Sequence, residues 1–273
     1  MPADSTRRNR YADGAAPPPE AYERTDAVYV EHPVRDGAAD AVEALVASER
    51  PNGAADAAWL VDGGDVATVT LFLRNGDDGA ALGWYVEVTT DAWDGPDAEL
   101  RERSPLFDAG LAAHLDETAR RRVNASEQAV HVCNPARPGT PDDPDVVLVR
   151  LGVHSGVPAA IARGLVAGID LLEDTWLHRR LVAASGDVIE DERMWTETLW
   201  LERTRGDYAV RWYMEADDLE HVNEAYEESD NRVARWSDAV LSRVFEEPVQ
   251  ALGDPLAASD WTVLAHATDP ANR

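Results

Sequence analysis

Two Trp-Tyr-X-Glu units, Trp84-Tyr85-Val86-Glu87 and Trp212-Tyr213-Met214-Glu215, carry the side chains of this chain best suited to chemistry. In an extended strand, residues two apart point to the same side. Each Tyr therefore stands beside its Glu, and a phenol next to a carboxyl can hold a polar ligand or pass a proton. The same alternation adds Thr70 and Phe72 to the first set, and Thr198, Trp200 and Arg211 to the second. Upstream strands contribute Tyr29 and Glu31 to the first, and Arg150, at the position equivalent to Glu31, to the second. A buried carboxyl has a raised pKa and can move protons, which is the acid/base reading of Glu87 and Glu215. An ion pair with Arg150 or Arg211 is the alternative reading.

The seven histidines, His32, His114, His131, His154, His178, His221 and His266, show no HxH, HxxxH or HExxH spacing. A metal or haem ligand, if present, is expected among His131, His154 and His266, which lie on strands; no cofactor and no metal is expected from spacing alone. Cys133 is the only cysteine, so no intrachain disulfide and no cysteine-based zinc site can form. Its Val-rich surroundings suit a small buried hydrophobe. No phosphate loop, dinucleotide fingerprint or GxSxG elbow occurs. Arg120-Arg121-Arg122 is expected to end a helix, where cations complement the dipole.

The elements that must position these residues repeat. Thr68–Glu87 (TVTLFLRNGDDGAALGWYVE) and Thr196–Glu215 (TETLWLERTRGDYAVRWYME) align without a gap and share eight of twenty residues. Before the match, residues 28–45 align with 147–165 on Gly37 and Gly156; after it, helical stretches around Ser104 and Ser229 correspond. Repeats of this kind decide the fold. Each half predicts strand, helix, strand, strand, helix, strand. First strands are expected near 27–34 and 146–153, with helices beginning at Asp36 and Ser155. Hairpin loops fall at Asn75–Gly79 and Arg203–Asp207, second helices at 97–121 and 217–245, and closing strands at Gln128–Asn134 and Trp261–Ala267.

That order is the β-α-β-β-α-β, or ferredoxin-like, unit. Leu71, Leu73, Leu82, Trp84 and Val86 share one hairpin face, and Leu199, Leu201, Val210, Trp212 and Met214 the other's; both are expected to pack on helices. The expected organisation is a disordered, Pro-rich leader at 1–26, repeat 1 at 27–134, a linker at 135–145 and repeat 2 at 146–273. Between the halves, Glu31/Arg150, Gly83/Arg211 and Cys133/His266 are the unequal positions, which points to one site biased toward the second copy.

Composition bounds the partners. The 273 residues carry 52 Asp and Glu against 25 basic residues, every one of them Arg, for a net charge of −27. In molar salt the screening length falls to ~3 Å, so carboxylates can crowd a surface and keep it hydrated. A salt-in, archaeal-type halophile is expected, with a cytoplasmic location. The charge disfavours nucleic acid, whose phosphates need a basic face. No apolar run approaches the ~20 residues of a membrane span, and the Arg-bearing N-terminus lacks the apolar core of a secretory signal.

The stretch GDYAVRWYMEADDLEHVNEAYEESDN (206–231) resembles a haloarchaeal-type domain family of the dimeric α+β barrel superfamily. Gly206, Asp207, Tyr208, Tyr213, Met214, Glu215, Ala216, Asp217, Asp218, Leu219, Ser229 and Asp230 match its pattern; its following His-Pro is Asn231-Arg232 here. The first copy keeps Tyr85, Glu87 and Ser104-Pro105. The resemblance implies two ferredoxin-like units pairing sheet to sheet, an α+β pseudo-dimeric barrel within one chain, and no particular activity.

The expected function is therefore a non-catalytic or small-molecule-binding α+β barrel. Its candidate pocket comprises Tyr85, Glu87, Thr198, Trp200, Arg211, Tyr213, Glu215, Arg150 and His266, and its assembly is a monomeric pseudo-dimer or a homodimer. The alternatives are a monooxygenase- or isomerase-type enzyme using inner-face Tyr, Glu and His, and, more weakly, a haem protein. Packing of the two repeats against each other, with Tyr, Glu and Arg satisfying one another, is the plain structural reading of the same residues.

Overall fold

The computed structural model describes residues 24–51, 57–76, 79–89, 93, 95–116, 126–134, 143–154, 189–190, 192–204, 207–228, 245 and 255–272. Its elements are β1 (Asp26–Pro33), α1 (Ala39–Glu49), β2 (Val66–Gly76), β3 (Gly79–Val88), α2 (Pro96–Arg103), α3 (Pro105–Asp108), β4 (Ser126–Cys133), β5 (Asp145–Gly152), β6 (Met194–Thr204), β7 (Asp207–Ala216), α4 (Leu219–Glu228), α5 (Pro255–Ala258) and β8 (Trp261–Thr268). Two four-stranded sheets result, ordered β1-β3-β2-β8 and β4-β6-β7-β5. The chain divides into two compact units, each built largely round one sheet. The class is α+β, as expected.

In the first unit the alternation of β2 and β3 works as read. Leu71, Leu73, Leu82, Trp84 and Val86 join Val42 and Val46 of α1, Leu100 of α2, Leu106 of α3, and Leu111 and Leu115 in one buried cluster. Removing these side chains from water supplies roughly 1.5–3 kcal/mol each. In the second unit, Leu201 and Met214 are buried while Leu199, Val210 and Trp212 are partly so. The helix expected from Ser155 lies outside the described residues, as does the part of the second helix beyond Glu228.

The expected 97–121 helix is broken. Ser104 is extended (φ −92°, ψ 119°) and Pro105 opens a separate turn. Proline has no N–H to continue the ladder, and it drives the preceding residue out of the helical region. The hairpin loops are also shorter than expected, because β2 runs to Gly76 and β6 to Thr204.

Both hairpins carry the same irregularity. The β2–β3 register shifts between Val66 and Thr68, and the β6–β7 register between Met194 and Thr196. These positions correspond in the gapless alignment, and each shift leaves one extra residue, Ala67 or Trp195, as a β-bulge does.

The closing strands cross the expected repeat boundary. β8 lies beside β2, and β4 lies beside β6, so each sheet takes its fourth strand from the other half of the sequence. Alternation fixes which face a strand buries, not which edge it joins.

Candidate functional site

The rows of side chains opposite the apolar faces can be built strand by strand. In the first sheet, β3 places Tyr85 level with Thr70 of β2 and Tyr29 of β1, while β8 places His266 level with Thr70. The row thus reads His266, Thr70, Tyr85, Tyr29. The hydroxyl of Thr70 lies 2.8 Å from Nδ1 of His266. One step along, Thr25 donates to Oε1 of Glu87 at 2.6 Å, and the Tyr85 phenol donates to Oε2 at 3.5 Å. Thr70, Tyr85 and Glu87 are wholly buried.

The second sheet repeats this arrangement. Thr198 pairs with Tyr213 across β6 and β7. The Thr198 hydroxyl lies 2.9 Å from Nδ1 of His131 on β4, and the Tyr213 phenol donates to Glu215 Oε2 at 3.2 Å. Thr198, Tyr213 and Glu215 are wholly buried too. A carboxyl with a phenol donor, and an imidazole oriented by a hydroxyl, can each hydrogen-bond a carbonyl or hydroxyl of a ligand and can give or take a proton.

These contacts correct the alignment of the closing strands. His131 and His266 are the equivalent pair, since each bonds the equivalent Thr. Asn134 N–H donates to Trp195 O as Asp269 N–H donates to Ala67 O, the two bulge residues. Cys133 therefore corresponds to Thr268, not to His266. The sequence match of these two short apolar strands is offset by two residues from the structural one, which keeps the faces and changes the partners. His266 accordingly sits with Tyr85 and Glu87, apart from the sheet that carries Thr198, Trp200, Arg211, Tyr213, Glu215 and Arg150.

The guanidiniums are also placed differently from the alternative reading. Arg150 Nε donates to Glu202 Oε2 at 3.0 Å, and Arg211 Nε lies 3.3 Å from the same oxygen. Glu202 and Arg211 are buried and Arg150 is partly exposed. The carboxylate that Arg150 and Arg211 neutralise is thus Glu202, which the period of two places on the same face as Trp200, two residues beyond it. Its first-sheet counterpart is Arg74, which meets Glu31 at 3.6 Å and lies over the Trp261 ring at 5.4 Å. Gly83, the counterpart of Arg211, leaves room there: a Cβ would lie 2.7 Å from the Tyr29 hydroxyl and 3.0 Å from Trp261.

On the opposite face of β6, Glu197 stands where β2 has Val69. Burial pushes its carboxyl up to about 7, with the Trp212 indole opposing the shift. Asp65, by contrast, is held below the usual carboxylate range chiefly by its hydrogen bonds from Arg103, with desolvation opposing. Of the remaining histidines, His32 is buried with Nε2 2.7 Å from Asp97 Oδ1, His154 is exposed, and His178 lies outside the described residues. A cleft of about 250 Å³ opens beside the start of α1, lined by Asp36, Gly37, Ala39, Asp40, Asn75, Gly79 and Ala80. None of these belongs to the polar rows. Among the described residues, no helix is long and apolar enough to cross a membrane.

No family profile and no curated protein matches the sequence. Solved structures do resemble the fold. A protein named "putative monooxygenase" from Fusobacterium nucleatum aligns over 90% of this chain and 94% of its own, at 8% identity and a TM-score of 0.49. One of the same name from Lactobacillus acidophilus aligns over 90% and 96%, at 8% identity and a TM-score of 0.48. An anthrone oxidase-like protein aligns over 91% and 94%, at 14% identity and a TM-score of 0.35. Likeness at this level bears on no activity.

Proposed function

We propose that the chain is a tandem duplication of one β-α-β-β-α-β unit forming a pseudo-dimeric α+β barrel, which binds a small molecule through the polar faces of its sheets. The observation that carries the binding reading is the recurrence in both sheets of a buried Tyr–Glu pair and a part-buried Thr–His pair. Buried hydroxyl and carboxyl groups cost more to desolvate than apolar residues of the same volume. Apolar residues would serve if packing were the only demand. Duplication is supported by the matched bulges and by the ion pair that recurs with its polarity reversed. A fused pair replaces a two-fold dimer, so a monomer or a homodimer of fused pairs is the expected assembly. The Lys-free, acidic composition supports a salt-adapted, cytoplasmic protein.

A second reading is an enzyme of monooxygenase or isomerase type. It is favoured by the same groups, since a carboxyl held by a phenol and an imidazole oriented by Thr are general acid/base components. The haem reading is weaker, and an absorbance spectrum after haem addition tests it: without a Soret band it is discarded.

The test of the binding reading is a ligand-library thermal shift in molar KCl. Wild type is compared with Tyr213→Phe/Glu215→Gln and Tyr85→Phe/Glu87→Gln, each checked for a cooperative melt. The expected result is a compound that raises the wild-type melting temperature and loses its effect in a variant. A compound set that shifts nothing, or shifts that survive both double variants, overturns the reading.

A further inference from the structure

One step along the first sheet from the row of His266, Thr70, Tyr85 and Tyr29, three strands bring a second polar row level. Thr68 of β2 pairs with Thr268 of β8 on one side and with Glu87 of β3 on the other. Residues paired across strands share a face. Thr68 and Glu87 are wholly buried and Thr268 is 2% exposed. Among the described residues, neither threonine hydroxyl has a hydrogen-bond partner. A buried hydroxyl left unbonded is less favourable than a methyl group in its place. Two such hydroxyls side by side therefore suit a ligand that both can bond.

The ends of their strands are tied together. Asp269 N–H donates to Ala67 O at 2.7 Å, and Asn272 Nδ2 donates to Val66 O at 2.8 Å. The hydroxyls are thus held in place beforehand, which lowers the ordering cost of binding. All of these residues belong to one of the two compact units.

The neighbouring carboxyl selects the charge of the ligand. Glu87 accepts from Thr25 at 2.6 Å and from Tyr85 at 3.5 Å. Both donors are neutral, so neither cancels a carboxylate charge, and a carboxylate offers roughly four lone-pair sites. An anionic ligand group is repelled here, whereas a cation finds acceptors in the carboxylate and both hydroxyl oxygens. The donors are all oxygen, which suits a hard cation. A single carboxylate balances a single positive charge, and a buried divalent ion would keep an excess charge at a large desolvation cost. In the second sheet Thr196 stands where the first has Thr68, but Cys133 stands where it has Thr268, and sulfur is a soft donor. One site per chain follows.

We propose that Thr68, Thr268 and Glu87 hold a monovalent alkali cation against the first sheet. The site shares Glu87 with the rows read above as binding a small molecule. It needs neither the Tyr–Glu nor the Thr–His pair, so it stands or falls separately.

The test is thermal melting of the full chain as potassium, the probe, replaces tetramethylammonium at constant molar chloride. Wild type is compared with Thr68→Val/Thr268→Val, which keeps the side-chain shape and removes both hydroxyls, and with Thr68→Ser/Thr268→Ser, which keeps them. In tetramethylammonium chloride the Val variant is expected to melt at or above wild type, because two unbonded hydroxyls are gone. In potassium the order is expected to reverse. Wild type should gain roughly 3 °C or more over the Val variant for each tenfold rise in potassium, and the Ser variant should keep that gain. Salt effects common to all three proteins cancel in the comparison. Anomalous diffraction from wild-type crystals grown in rubidium chloride needs no variant, and is expected to show a peak among the oxygens of Thr68, Thr268 and Glu87. The proposal is overturned if a folded Val variant melts at or above wild type at every potassium concentration. It is equally overturned if the Ser variant loses the potassium gain while folded, or if no rubidium peak lies at these oxygens. A library compound that stabilises wild type in the absence of a potassium gain overturns the cation site and leaves the small-molecule reading standing.

Discussion

Arg150 and Glu202 form, at 3.0 Å, the mirror image in charge of Glu31 and Arg74 in the other sheet. The basic and acidic members have changed strands while the pair has been kept. Arg211 adds a second guanidinium to Glu202 where the first sheet has Gly83.

Glu202 carries the larger share of this cluster's stability. Glu202→Gln removes a carboxylate charge from beside the buried Arg211 and is expected to destabilise the fold by about 3 kcal/mol. Arg150→Met, at the exposed end, should cost roughly 1 kcal/mol or less. The charge exchange Glu202→Arg/Arg150→Glu sets a guanidinium against Arg211 and should be worse than either single change. Adding Arg211→Gly should recover part of the loss. Denaturant unfolding in molar KCl measures all four.

Glu197 makes stability fall as pH rises. Its folded carboxyl is raised from 4.5 to about 7. Between those values the folded chain holds a proton that the unfolded chain has released, so stability declines across that window and the loss is complete above pH 7. Glu197→Val, which restores the residue type of Val69, should remove this slope. It should raise stability at pH 8 by up to ~3 kcal/mol, with little effect near pH 4.5. Asp65 acts in the opposite sense: its folded value is lowered, so its contribution is present above the unfolded value and fades as pH falls through the folded one. Unfolding curves at several pH values separate the two.

Gly83 is fixed by the rings above it. Gly83→Ala brings a methyl to 2.7 Å from the Tyr29 hydroxyl and 3.0 Å from Trp261, an overpacking expected to cost about 1–3 kcal/mol. Gly83→Ala/Tyr29→Phe removes the closer of the two contacts and should recover part of that. The melting temperatures of the three proteins decide it.

What could be read from the sequence follows its periodicities. The period of two sorted Leu71 and Trp84 from Thr70 and Tyr85 correctly, because burial of one face against helices fixes it. The same rule puts Glu202 on the face of Trp200, and His131, already a candidate ligand by its place on a strand, on the face of Cys133. The partners of β4 and β8 were not legible, since a strand's edge neighbour depends on the path of the whole chain. The two-residue slip between those strands left every side chain on its proper face, so alternation could not reveal it; the Thr70–His266 and Thr198–His131 bonds do. The break at Ser104 was legible in Pro105 but was outweighed by the helical composition on either side.

The most direct measurement is the thermal shift of wild type beside Tyr213→Phe/Glu215→Gln and Tyr85→Phe/Glu87→Gln across a small-molecule library in molar KCl. The account predicts at least one compound that stabilises wild type and fails to stabilise a folded double variant. A library without effect on wild type, or stabilisation unchanged in both variants, would contradict it and leave the polar rows as packing alone.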